Sequence, residues 1–250
     1  MKLEKYFETN KLVYCPYLLT GYPNEEKFYE LVDCVVSQWA KIIELWIPFS
    51  DPISDGPVLT VANDLVVKNG VWLPESLDMI NQVKIKYPDI GVVIMSYYNP
   101  IFTYKKENFQ KYLAETKIDW FLIPDVPLEE YEELEDIKEA DNVMIVSENL
   151  DNETIREIWK KTNGFLYVLS NISITGTDTD YRQWLSDFVI RLRNILWESK
   201  KLVVGFGIKD QKDIDFLKTL QVDGFIIWSG IVKNYMENGI EGVKGMKIIT

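Results

Sequence analysis

The chain has 250 residues, 47% of them hydrophobic and 26% charged, ample for a large core in one α/β barrel or two small domains. Its formal charge of −12 argues against nucleic acid or an anionic membrane surface as partner, and two cysteines argue against a disulfide framework or a Cys-rich metal site. The absence of histidine excludes Ser/His and Cys/His nucleophiles and most zinc sites, so acid–base work falls to carboxylates, tyrosine, lysine or water.

Residues 1–10 are polar and predict a short N-terminal helix across the floor of the fold. A first strand over 12–20 ends at Gly21-Tyr22-Pro23-Asn24, and Asn24 caps a helix to about residue 38 with Phe28, Leu31, Val32 and Val35 on one face. The apolar run 42–47 is a second strand with one carboxylate, Glu44, inside it, where an unpaired charge is expensive. Eleven residues on, Asp55 lies in a Pro-, Ser-, Asp- and Gly-rich loop. A buried acid on a strand and a second on the following loop make a catalytic pair in barrel enzymes, whose sites gather at strand C-termini. The alternative is a charge capping a neighbouring amide.

Helices are predicted over 58–68 and 74–86, a strand over 91–97, a helix over 105–116 and a strand over 119–125. An acidic helix over 128–140 precedes a strand at 143–147, a helix at 152–161 and a strand at 164–170. A loop over 171–178, rich in Asn, Ser, Thr and Gly, leads into a long helix to about 198. A strand at 202–207, a helix at 211–220, a strand at 224–227 and a short, Gly-interrupted last helix complete the chain. Eight apolar strands alternating with helices, without a composition break, spell one (β/α)8 TIM barrel over 1–250, with an open doubly wound sheet as the rival. No apolar run could span a bilayer and no signal-peptide core opens the chain, which reads as cytoplasmic.

Gly205-Phe206-Gly207 and Ser229-Gly230 end the last two strands, where barrels often bind phosphate on glycine amides and a helix N-terminus. The 170–177 loop, S-N-I-S-I-T-G-T, would add a third amide-rich side. Each is also compatible with an ordinary turn.

The block E-L-W-I-P-F-S-D-P-I-S-D-G-P, 44–57, resembles the signature of the tryptophan synthase α-subunit family, which has glycine where this chain has Trp46. The resemblance runs from the N-terminal helix to about Lys233. It implies a lyase that cleaves indole-3-glycerol phosphate to indole and glyceraldehyde 3-phosphate, with Glu44 as acid–base group and Asp55 at the indole nitrogen. It further implies substrate contacts for Tyr17, Tyr97 and Tyr167, a closing loop at Thr175-Gly176, a ring-packing and phosphate turn at Phe206-Gly207, and Ser229 at the phosphate. It implies no metal and no cofactor in this subunit, and a β-subunit partner that carries pyridoxal phosphate in an α2β2 assembly. Asn171 and Ser173 depart from a common arginine and glycine of the family's loop. The competing readings are indole-glycerol-phosphate synthase, which would need a strand-end lysine, and a weak barrel kept as a β-subunit activator. Trp39, Trp46, Trp120 and Trp228 all stand where this fold calls for glycine, which points to UGA codons read as tryptophan or to substitution.

Overall fold

The computed structural model describes residues 2–7, 12–52, 56–169, 178–196, 200–205, 208, 211–246 and 248, with side chains undescribed at 2, 4 and 178–181. Eight parallel strands close in sequence order: β1 Val13–Leu19, β2 Ile42–Trp46, β3 Gly91–Met95, β4 Trp120–Leu122, β5 Asp141–Val146, β6 Leu166–Leu169, β7 Leu202–Gly205 and β8 Gly224–Ile227. β1 pairs with both β2 and β8, so the ring has no free edge. The strands read as continuous apolar runs because helices cover one face and the barrel interior covers the other.

Outside lie α1 Lys2–Tyr6, α2 Glu25–Ser37, α3 Pro57–Lys68, α4 Leu73–Lys86, α5 Tyr98–Tyr104, α6 Lys106–Thr116, α7 Asn152–Lys161, α8 Asp178–Leu196, α9 Gln211–Leu217 and α10 Ser229–Lys244. Asn24 caps α2 as expected, its Oδ1 accepting from the Lys27 amide at 3.0 Å.

Three segments differ from expectation. The acidic run forms only a 3-10 helix, Leu128–Leu134, instead of an α-helix to residue 140. The buried pair Tyr131 and Leu134, three residues apart, fits three residues per turn. The stretch between the expected strand at 91–97 and the expected helix at 105–116 is itself helical: Asn99-Pro100 lies in α5, where a first-turn proline forfeits no helical bond. The last helix resumes after a break at Gly239 (φ 59°), so it runs longer than the shortened one expected. Its far end is held by Gln38, whose Nε2 donates to Val243 O at 2.9 Å.

The floor is closed by α1 and two equivalent acids. Asp119, before β4, accepts from Tyr6 Oη (3.0 Å), Lys84 Nζ (2.7 Å) and the Val92 amide (3.1 Å). Asp223, before β8, accepts from Arg193 Nη2 (2.6 Å), Lys201 Nζ (2.8 Å) and the Leu202 amide (2.9 Å). The backbone repeats too: Asp119 O takes the Asp141 amide of β5 at 3.1 Å, and Asp223 O takes the Val13 amide of β1 at 2.9 Å. β4 and β8 therefore start in the same way, on opposite sides of the barrel.

Candidate active site

Glu44 is the middle residue of β2, level with Tyr17 on β1 and Val93 on β3. It is fully buried, and neither carboxyl oxygen has a hydrogen-bond partner among the described residues. Burial alone pushes its pKa from the ordinary 4.5 up to about 8, because no compensating charge stabilises the anion. Cys15 on β1 and Tyr167 on β6 share the interior with it. Their own values are raised first by burial and then by the Glu44 charge, so both stay neutral.

Alternation along the strands decides what lies over this acid. Trp46, two residues beyond Glu44, projects from the same face about 6–7 Å further toward the strand ends. Its fully buried ring meets Tyr17 edge-on at 5.7 Å between centroids, Tyr97 at 5.4 Å and Trp228 at 5.8 Å. Trp228, two residues beyond Ile226 of β8, stacks on Tyr17 at 5.2 Å and 25°, and meets Tyr167 at 6.3 Å. Tyr17 and Tyr97 thus both meet Trp46, and Tyr17 and Tyr167 both meet Trp228, so the three tyrosines belong to one aromatic layer. Tyr167 reaches this layer only because β7 ends in glycine: a Cβ on Gly205 would lie 1.8 Å from its hydroxyl.

Ser229 is exposed and opens α10 directly after β8, so the first turn of that helix lies at the C-terminal end of the strand, and a helix N-terminus favours an anion. Asp55, Thr175, Gly176, Phe206 and Gly207 lie outside the described residues.

One positioning residue is new. Asn63 of α3 is buried, and its amide binds both backbone groups of Phe49: Nδ2 donates to the carbonyl at 2.6 Å and Oδ1 accepts from the amide at 3.1 Å. It pins the loop that leads from Glu44 toward Asp55. A lone polar residue on the apolar face of a predicted helix was the available signal. Asn63→Ala strands two part-buried backbone groups and is expected to lower unfolding free energy by about 1–3 kcal/mol, measured by urea titration.

Among the described residues no strand contains a lysine, so the requirement of the synthase alternative is not met there. Among the described residues no group of three or more Cys, Asp or Glu could hold a metal, and no helix is long and apolar enough to cross a membrane.

The sequence model described as tryptophan synthase alpha chain matches residues 3–247. The chain belongs to the tryptophan synthase alpha chain family. Relatives of that name include those of Christiangramia forsetii, 31% identical over 96% of this chain and 94% of its own, and Halalkalibacterium halodurans, 31% identical over 93% and 87%. A chain of the tryptophan synthase α2β2 complex from Pyrococcus furiosus superposes with a TM-score of 0.81 at 27% identity, covering 96% of each chain. The family match accounts for the closed eight-stranded barrel.

Proposed function

We propose that the chain is the lyase subunit that cleaves indole-3-glycerol phosphate to indole and glyceraldehyde 3-phosphate in tryptophan biosynthesis. Glu44 carries the reading. A carboxyl group held in its acid form up to about pH 8, inside a barrel and next to an aromatic layer, can give a proton to carbon and take one back.

Protonation of indole C3 by Glu44 makes the ring an electron sink, and Asp55 offsets the positive charge that develops at the ring nitrogen. The side-chain hydroxyl then loses its proton to the Glu44 carboxylate. Its electrons form the aldehyde carbonyl, the C3–side-chain bond breaks, and that bond's pair restores the aromatic ring. Glu44 ends the cycle protonated, so no metal or organic cofactor is consumed. Tyr17, Tyr97 and Tyr167 would contact the ring system, with Phe206. Ser229 and Gly207 would take the phosphate, and Thr175-Gly176 would close over it. The setting is cytoplasmic and the domain is the whole barrel.

The partner is a tryptophan synthase β subunit, the site of pyridoxal phosphate, in an α2β2 assembly like that of the Pyrococcus furiosus complex. The strand-end loops support a docking face. Asp125 accepts the Tyr98 amide at 2.9 Å, tying the loops after β3 and β4 together, and Phe102 beside them is 68% exposed. Protein isolated from its source cells should release indole, faster with a compatible β subunit. No release under either condition would reject the reaction. Phe102→Asp should weaken the complex on size exclusion while indole release by the isolated chain persists; an unchanged complex would remove this face from the interface.

A further inference from the structure

Trp39 takes a conformation that tryptophan rarely adopts. It follows α2 with φ +70° and a ring 79% exposed, so no packing offsets the strain. Its amide donates to Val36 O at 3.1 Å and the next amide, of Ala40, donates to Val35 O at 3.2 Å. This is the double-bonded helix stop whose left-handed residue is usually glycine. The same chain supplies the control: after α3, Gly70 has φ +80°, donates to Val67 O at 3.0 Å, and is followed by Val71 donating to Val66 O at 3.3 Å.

Trp120 starts β4 on Asp119 as Gly224 starts β8 on Asp223, with the matching hydrogen bonds described above. A Cβ at Gly224 would come within 2.8 Å of the Val13 carbonyl oxygen. The Trp120 ring uses room left by Gly91 and Gly164, where added Cβ atoms would lie 2.7 and 2.8 Å from it. Even so, its buried Nε1 donates to nothing among the described residues, as is true of Trp46.

Trp46 and Trp228 bear on the reaction itself. Each side chain is an indole, the ring of the proposed substrate, and the two meet at 5.8 Å between centroids, with Trp46 two residues beyond Glu44 on the same face of β2. With these rings in place Glu44 is fully buried. By contrast, Trp159 and Trp184 sit within helices α7 and α8, and Trp72 precedes α4 at φ −124°.

We propose that the indoles of Trp46 and Trp228 fill the substrate's own indole site, and that the protein made in its source cell carries glycine at 39, 46, 120 and 228. One rule accounts for all four positions: UGA, one base from the tryptophan codon UGG and one from the glycine codon GGA, is read as glycine there. Independent substitution would scatter over many residue types, whereas a decoding rule replaces one residue by one other. The site assignment rests on the proposed cleavage reaction; the backbone argument at Trp39 does not.

The gene should carry UGA at these four codons, and peptides of the protein from its source cells should have glycine masses there. UGG codons would overturn the decoding. Occupancy of the site is read by isothermal titration with indole-3-propanol phosphate, which has the ring and phosphate but no hydroxyl to lose. W46G/W228G should bind it at least tenfold more tightly than the chain with all four tryptophans; equal affinity would overturn the site claim. W228G alone, at the start of a helix, gives the same reading if the double variant does not fold. W39G should raise the thermal midpoint by roughly 2–4 °C, and a lower midpoint would contradict the glycine assignment at that turn. Tight binding without indole release in W46G/W228G would reject the cleavage reaction and leave this inference standing.

Discussion

In any form of the chain that releases indole, Glu44→Gln lowers that release by about a hundred- to ten-thousand-fold, the range a positioned general acid–base group supplies. Glutamine keeps the shape but cannot give a proton to carbon and recover it. The same substitution has a stability signature that follows from the burial of the acid. Glu44 has its pKa raised from 4.5 to about 8 on folding, so between those values the folded chain holds a proton that the unfolded chain has lost. The parent is therefore destabilised progressively as pH rises through that window, by at most about 1.4 kcal/mol per pH unit, and the loss levels off above about 8. The glutamine variant has nothing to titrate there. Its advantage over the parent should be absent below pH 4.5, grow across the window, and then remain constant. Cys15 and Tyr167, the titratable neighbours, remain neutral throughout, so neither masks the effect. A pH-independent difference in denaturant midpoints would mean that Glu44 is not buried in its acid form.

The barrel was legible because each strand is a short apolar run bounded by turn chemistry, and β8 falls on the expected residues, Gly224–Ile227. Glu44 was legible for the same reason: a lone acid in the run I-I-E-L-W has no surface to face. The 3-10 helix was not, because the hydrophobic spacing of Tyr131 and Leu134 fits either helix type. The aromatic layer required closure of the ring. Tyr17, Trp46 and Trp228 are far apart in sequence and meet only because β1 lies between β2 and β8. Local pattern could place each ring on an inward face, but not tell that the three faces share one small space. Trp39 was legible from its place at a helix end, since a stop signal is a local feature.

Asp119→Ala should be among the most destabilising single changes in the barrel, although Asp119 lies at the floor, far from the chemistry. Its carboxylate is nearly buried and takes three donors: the Lys84 ammonium, the Val92 amide and the Tyr6 hydroxyl. The Lys84 side chain is itself only 12% exposed, so removing its partner leaves a charge with little water to replace the carboxylate. Breaking one side of such a pair costs about 3–5 kcal/mol, which for a chain of this length lowers the thermal midpoint by roughly 10 °C. The origin of the loss can be separated. Lys84→Met removes the stranded charge while keeping an apolar stem, so Asp119→Ala/Lys84→Met should recover a substantial part of the loss, leaving mainly the orphaned amide and hydroxyl. Asp223→Ala should behave alike at the opposite side of the floor, where Arg193 and Lys201 would be left behind. Additive effects in the Asp119–Lys84 cycle would show that the pair contributes little and that α1 is held by packing of Tyr6 against Trp120 instead.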